Sequence, residues 1–376
     1  MVPIRVYSKT LTLITEIDTY QNLYYTSSLY SAGAFELTIN FNIFDDLGTR
    51  YADYLLSGYF IQIGNDFSKI GKILETERKE GPAGKGDEVL IVRGAQAKIV
   101  LGQRIIYPPA ASANYIAEGV SETTIKNLLI AQIGTGAATA RKLNYCSIVA
   151  TAGRGTSYLL SARYQNLLEK CNEYCQQAGV GLKFTLNPTT GKLDIDTIHG
   201  LNRTFGQSTN PKVIFSSDFD TLKTSTWKNS TIPYKSTAII GGAGIGAARN
   251  IREIGGATAD FDRHETFVDA RECSTSALCD SKGTAALAGM AVTNFLDGQV
   301  LTYSQYVLGT DYNLGDIVTV QMYGTSFDVR ICDVKESWEA GVYDIALTFG
   351  SKYPELPSVI AAQNGRTTNA LNNSES

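Results

Sequence analysis

Two distant parts of the chain resemble each other weakly, and a chain that carries one folding unit twice must accommodate two copies of it. The stretch "IDTYQNLYYTSSLYSAGAFELTIN", from residue 17, aligns with "FDTLKTSTWKNSTIPYKSTAIIGG", from residue 219. Asp18 and Thr19 meet Asp220 and Thr221, Tyr25 meets Trp227, Ser28 meets Ser230, and both stretches end in an apolar strand; the offset is 202. A second pair, "GYFIQIGNDFSKIGKILETERK" from Gly58 and "GDIVTVQMYGTSFDVRICDVKE" from Gly315, has offset 257. Each is a glycine-led strand, a short turn, a second strand and a charged end, followed by a third strand that ends in glycine, "EVLIVRG" or "VYDIALTFG". Because 202 and 257 differ by 55, the second copy is expected to carry an insertion of that size. Its expected start is the glycine-rich "IGGAGIGAAR" at 240–249, and it would contain "RHETFVDARE".

That glycine-rich stretch has a competing reading. Gly242, Gly244 and Ala247 fit the G-x-G-x-x-A of a dinucleotide-binding turn, and Asp262 and Glu265 lie near the distance of an acidic ribose partner. The chemistry also needs a helix whose first amides face the pyrophosphate. Here Gly255 and Gly256 interrupt the following segment after about two turns, no apolar stripe recurs at helical spacing, and no βαβ unit surrounds it. The glycines are therefore expected to form the exit from a β-domain into an inserted domain, and no cofactor is expected.

Apolar and polar residues alternate in "FELTINF", "GYFIQIG" and "EVLIVRG", separated by Gly, Asn and Asp, so 1–112 read as a first β-domain. "YPPAASANY" then reads as a linker. An α+β domain is expected over 113–206. It holds a helix "SETTIKNLLIAQIG" with Ser121 as cap candidate and Gly134 as stop, and a longer helix "TSYLLSARYQNLLEKCNEYCQQAG". On the latter, Leu160, Tyr164, Leu167, Leu168, Cys171 and Cys175 form one face and Gly179 the stop. The hairpin "GLKFTLNPTTGKLDIDTI" follows. The second β-domain is expected to be discontinuous, 207–241 and 299–356, with strands including "VLTYSQYVLG", around an inserted domain at 242–298 with a helix at about 274–296. A flexible tail is expected from 357 to 376.

The 376 residues suffice for two to four domains, and 43% hydrophobic with 19% charged residues indicates a globular chain. A net charge of −4 without a Lys/Arg cluster argues against a dedicated nucleic-acid surface. The N-terminus lacks the apolar core of a signal peptide and no run approaches a bilayer span, so the chain is expected to be made, and to stay soluble, in a cytoplasm. The cysteines at 146, 171, 175, 273, 279 and 332 form no CxxC pair, and the histidines are His199 and His264, so no metal site is expected and buried thiols are. The same two histidines and the lack of a G-x-S-x-G elbow provide no catalytic residues. His264, between Arg263 and Glu265, reads as a charged rim or subunit contact rather than an acid/base cluster.

Duplicated β-domains around an α+β domain, with an insertion in the second copy, resemble the central hub proteins of phage tails, a fold shared with type VI secretion spikes. The chain resembles the siphovirus baseplate-hub family in "YSAGAFELTIN", "LGQRIIYP", "GLNRTFGQ", "PKVIFS", "IIGGAGIGAAR", "RHETFVDAR", "GTDYNLGDIVTV" and "IALTFGSKYPEL", in that order. The resemblance implies an α+β, mostly β fold with two related tube-type β-barrels. It also implies a non-enzymatic homotrimer at the virion tail tip, assembled in the host cytoplasm. There it adapts a sixfold tube to a threefold tip and lets DNA pass without specific binding. Expected partners are the distal tail protein, the tape-measure protein, the tail tube and a tip fibre or spike. Two other functions fit the residues: a tail-associated cell-wall hydrolase, and a carbohydrate-binding β protein suggested by 21 tyrosines.

Overall fold

The computed structural model describes residues 2–350 apart from 82–83, 217, 233, 272, 292, 301–304, 323 and 340; the expected tail from 357 lies outside the described residues. The first segment is β apart from short 3-10 helices at Tyr51–Tyr54 and Ala97–Gln103: β1 (Ile4–Tyr7), β2 (Leu13–Ile17), β3 (Asn22–Ser28), β4 (Ala34–Asn40), β5 (Phe60–Ile63), β6 (Ile70–Gly81) and β7 (Gly84–Gln96). They pair in the order β3-β4-β7-β6-β5-β1-β2. Period-two alternation sends Leu23 and Tyr25 of β3 and Phe35, Leu37 and Ile39 of β4 into one core with Ile4, Val6, Ile61, Ile73 and Val92.

The middle segment holds β8 (Tyr115–Val120), α1 (Ser121–Ile133), β9 (Cys146–Ile148), β10 (Ser157–Ala162), α2 (Leu167–Ala178), β11 (Gly181–Asn187) and β12 (Lys192–Ile198). The β11–β12 hairpin forms as expected, with β9 parallel to β12. Two helix expectations need correction. Ser121 is the first helical residue, not the cap; the first amides, of Ser121 and Glu122, donate to the carbonyls of Thr156 and Arg154, so neighbouring backbone does the capping. The long second helix is shorter than expected, because Ser157–Ala162 is a strand paired with β8. Leu159 packs on the inserted segment's core while Leu160 and Ala162 pack on the middle core. A strand buried on both faces shows no alternation and reads like helix. Tyr164 sits at the break with φ 53 and is exposed. α2 itself is capped by Asn166, whose Oδ1 accepts from the Leu168 and Glu169 amides, and ends at Gly179 with φ 67.

The third segment contains β13 (Ile214–Ser216), β14 (Leu222–Ser230), β15 (Thr237–Gly241), β16 (Ile251–Ile254), β17 (Glu265–Asp269), α3 (Ser276–Ala288), β18 (Thr293–Val300), β19 (Ile317–Met322), β20 (Thr325–Glu339) and β21 (Val342–Phe349). Six of its strands pair in the order β14-β18-β21-β20-β19-β13, which repeats β3-β4-β7-β6-β5-β1 strand for strand. Only the last step differs: β1 is antiparallel to β5, whereas β13 is parallel to β19. The registers agree in detail. Tyr25 faces Phe35 as Trp227 faces Leu296. A bulge between Ile73 and Glu75 recurs between Ile331 and Asp333. Gly58 and Gly315 both take positive φ, 89 and 94, a conformation open to glycine at no steric cost. β20 pairs with β3 and joins both halves into one sheet.

The inserted segment begins earlier than expected. Thr237–Gly241, assigned by sequence to the second β-domain, instead pairs with β16 and β17 in a separate sheet. α3 packs on that sheet, its Cys279 sharing one core with Ala238 and Ile240 of β15 and with Cys273. The equivalent of β4 is β18, whose first residues, 293–296, fall within the stretch expected to be helical; the helix stops at Ala288. The insertion thus falls between β14 and β18. An apolar "STAII" can pass for a strand of either sheet, since pairing is decided by distant partners. Of the strand expected in "VLTYSQYVLG", Val300 belongs to β18 and 301–304 lie outside the described residues.

Candidate functional site

The first, middle and third segments meet around a cavity of about 520 Å³. β3 and the turn before β6 supply Ser27, Ser28 and Lys69, the end of β12 supplies Asp196 to His199, and β20 and β21 supply Glu336 and Tyr343. Glu336 is buried; its Oε1 accepts from Lys69 Nζ at 2.6 Å and from the Tyr343 hydroxyl at 2.7 Å, while Oε2 has no hydrogen-bond partner among the described residues. Burial, then the nearby Glu336 carboxylate, raises the Tyr343 hydroxyl pKa. Asp316 closes another side: its Oδ1 accepts from the Leu201 amide at 2.7 Å and its Oδ2 from Arg203 Nε at 2.8 Å and the Asn313 amide at 3.0 Å. Gly200 passes so near Gly315 that a Cβ on it would sit 1.7 Å from the Gly315 carbonyl oxygen, so only glycine allows this crossing.

A second ionic cluster borders the cavity. Glu122, fully buried at the start of α1, accepts from Lys126 Nζ at 2.7 Å, from the Arg154 amide at 2.9 Å and from the Arg154 guanidinium. The Arg154 hydrogen bond, then that of Lys126, holds its carboxyl far below the usual range. Lys126 also donates to Asp196 at 2.6 Å. His199 Nε2 lies 2.9 Å from the Thr197 hydroxyl, and burial and then Arg154 lower its pKa. Nearly every charge here is matched within the chain. The chemistry this supports is fastening: the ions bind three segments at one junction, where an unmatched charge would be costly.

Apart from His199, which lines the cavity, the residues singled out from sequence lie elsewhere. Gly242–Ala247 turns into β16 rather than into an α-helix. A Cβ on Gly242 would meet Cys279 Sγ at 2.5 Å and Gly244 has φ 113, so these glycines serve close packing and a turn. Asp262 and Glu265 flank the sheet margin, where Arg263 bonds Glu253 at 2.9 Å and Glu265 at 2.6 Å. His264 accepts the Ser236 and Thr237 amides on its carbonyl and sets its ring edge-on to Tyr234. Cys171, Cys175, Cys273, Cys279 and Cys332 are buried thiols and Cys146 is half-buried. No group of three His, Cys, Asp or Glu suited to a metal is present among the described residues. No helix among them is long and apolar enough to cross a membrane. Sequence reading missed Glu122, Lys126, Arg154, Arg203, Asp316 and Glu336. Only Glu122 and Lys126, four apart on a helix, leave a local signal; Lys69 and Glu336 are 267 positions apart.

Among curated proteins no relative matches. Three solved structures share the fold: the 43 kDa tail protein of prophage MuSo2 from Shewanella oneidensis (14% identity, TM-score 0.57, 92% of this chain and 98% of that one); a tail protein from Neisseria meningitidis MC58 (13%, 0.57, 93% and 96%); and the prophage tail protein gp18 from Listeria monocytogenes EGD-e (10%, 0.55, 95% and 97%). The family model for siphovirus ReqiPepy6 Gp37-like proteins matches residues 3–351. This mostly β, α+β chain therefore belongs to the siphovirus ReqiPepy6 Gp37-like family and is a phage-tail-type protein.

Proposed function

We propose that this chain is a structural, non-enzymatic hub of a phage tail tip. Three copies form a homotrimer that closes the distal end of the tail tube, adapts its sixfold symmetry to a threefold tip and forms part of the DNA ejection channel. The observation that carries this reading is the repeated strand order β3-β4-β7-β6-β5-β1 and β14-β18-β21-β20-β19-β13 within one sheet. Each half is read as one tube-type β-barrel domain, so three chains present six related units to a sixfold ring, with repetition rather than identity matching the symmetries. The middle segment and the insertion are read as separate domains on this frame, fastened at the ionic junction.

The partners are other tail components: the distal tail protein and tail tube, the tape-measure protein in the lumen, and a fibre or spike below. DNA passage needs a wall that does not grip phosphate, since several Lys/Arg–phosphate contacts add a salt-dependent attraction. The lumen is therefore expected to present small polar or acidic side chains. Mass measurement by light scattering, followed by electron-microscopic averaging along the symmetry axis, tests the proposal. A trimer with a central channel supports it; a monomer or closed dimer at tail-like concentrations refutes it, and hydrolysis of host cell wall by the purified chain would overturn the non-enzymatic reading.

A further inference from the structure

The joint between the two halves is a template for a contact between chains. β20 is shared along its length: Thr325–Arg330 pair with β19, and beyond the bulge Asp333–Glu339 pair with β3. Its equivalent, β6, is used only in part. Ile70–Lys72 pair with β5, but beyond the matching bulge 75–80 pair only with β7 among the described residues. β14, equivalent to β3, pairs only with β18 among the described residues, whereas β3 has β4 on one side and β20 on the other. Exposure follows the pairing. Tyr25 and Glu336 at the filled joint are 0% and 1% exposed, while their equivalents are open, Trp227 at 41% and the Arg78 side chain at 52%.

We infer that β6 of one chain pairs antiparallel with β14 of a second copy of this chain, in the register that joins β20 to β3. Carrying Asp333↔Ser28 through Ser337↔Tyr24 across the equivalences sets Glu75 opposite Ser230 of the second copy. It also sets Thr76 opposite Asn229, Glu77 opposite Lys228, Arg78 opposite Trp227 and Lys79 opposite Thr226. This register, taken from backbone pairing alone, places a carboxylate against an ammonium and a guanidinium against an indole. Over the stretch to be paired, 75–80 of β6 carries three acids, Glu75, Glu77 and Glu80, against two bases, Arg78 and Lys79, while β14 carries Lys223 and Lys228 and no acid. An exposed strand edge is open to pairing with another chain, and here the other chain's open edge bears the matching residues. The contact joins unlike surfaces, so it repeats head to tail; its closure into a ring rests on the hub reading above.

Paired cysteines test it in the full-length chain, with the wild type as background for its own thiols. On mild oxidation, Thr76→Cys with Asn229→Cys should give a disulfide-linked ladder ending at the trimer. Thr76→Cys with Lys228→Cys, one residue out of register, should give less than about a tenth as much, because alternate strand residues face opposite sides. Glu77→Lys and Lys228→Glu should each weaken self-association about fivefold, and the double exchange should restore it. An oligomer in which the in-register pair fails to cross-link, or both pairs cross-link equally, overturns the edge pairing and leaves the ring reading standing. A monomer that never cross-links overturns both.

Discussion

Lys98 is a charged residue placed where its charge is a burden. It is buried, its Nζ donates to the Ser28 carbonyl, and burial pushes its pKa down to about 8. A lysine pKa lower in the folded than in the unfolded state means that the unfolded chain binds more protons between about pH 8 and 10.5, so stability rises with pH across that window. Relative to Lys98→Met, the wild type should gain up to about 3 kcal/mol over it, read from urea midpoints at several pH values. A pH-independent difference would mean that Lys98 stays charged when folded. Glu122 has the opposite sign: its folded pKa is depressed by Arg154 and Lys126, so its contribution is present above the unfolded carboxylate pKa and is lost as pH falls through the folded value. Glu122→Gln should cost about 3 kcal/mol at neutral pH, and the gap to wild type should close in acid. Of the histidines and cysteines conspicuous in the sequence, His199 borders the junction cavity and His264 and the cysteines lie outside it; chemistry-bearing residue types are conspicuous in a sequence, whereas buried ion pairs across segments are not.

Among the elements, those governed by local chemistry were legible. The hairpin β11–β12 follows from alternation around "NPTTG", and the stop of α2 follows from Gly179. Where tertiary context decides, the reading failed: Ser157–Ala162 is apolar on both faces because two cores meet across it, and Thr293–Val300 leaves a helix-like stretch to fill the place of β4. The start of α2 shows how local and tertiary roles combine. Asn166 caps the helix through Oδ1 and donates Nδ2 to the Gly102 carbonyl at 3.0 Å, anchoring the helix to the segment after β7. Asn166→Ala should therefore destabilise by about 1–2 kcal/mol, at the upper end for a cap, measured by thermal unfolding. Asn166→Asp keeps the acceptor but loses the donor, so it should recover only part of the loss.

For the whole molecule, the repeat is the feature legible in the sequence. The offset 202 holds along β3 and β14, but the alignment then ran on into Thr237–Gly241, whereas the pairing resumes at β18, after the insertion. Short apolar strands are interchangeable in sequence; only their partners distinguish them. This has a consequence for how the fold tolerates cutting. β3 and β4 are joined by residues 29–33, and the equivalent β14 and β18 are joined by 231–292. If the two hairpins are equivalent, the long connection is dispensable for the sheet, since loop-closure cost grows only slowly with length and a short loop already suffices in the first half. Replacing 231–292 with a five-residue turn should leave β14 and β18 paired, with amides of 293–300 still protected from hydrogen exchange. The cost should come from the lost docking of the insertion on the middle segment, where Leu159 would be uncovered and the Ser281–Glu118 hydrogen bond lost. That is about 2 kcal/mol for one leucine, and Leu159→Ser in the shortened chain should recover part of it. Loss of protection throughout 293–300 would instead mean that the insertion, not the repeat, holds β18 in place. Because the open edge of β14 stays in the shortened chain, self-association should survive the deletion.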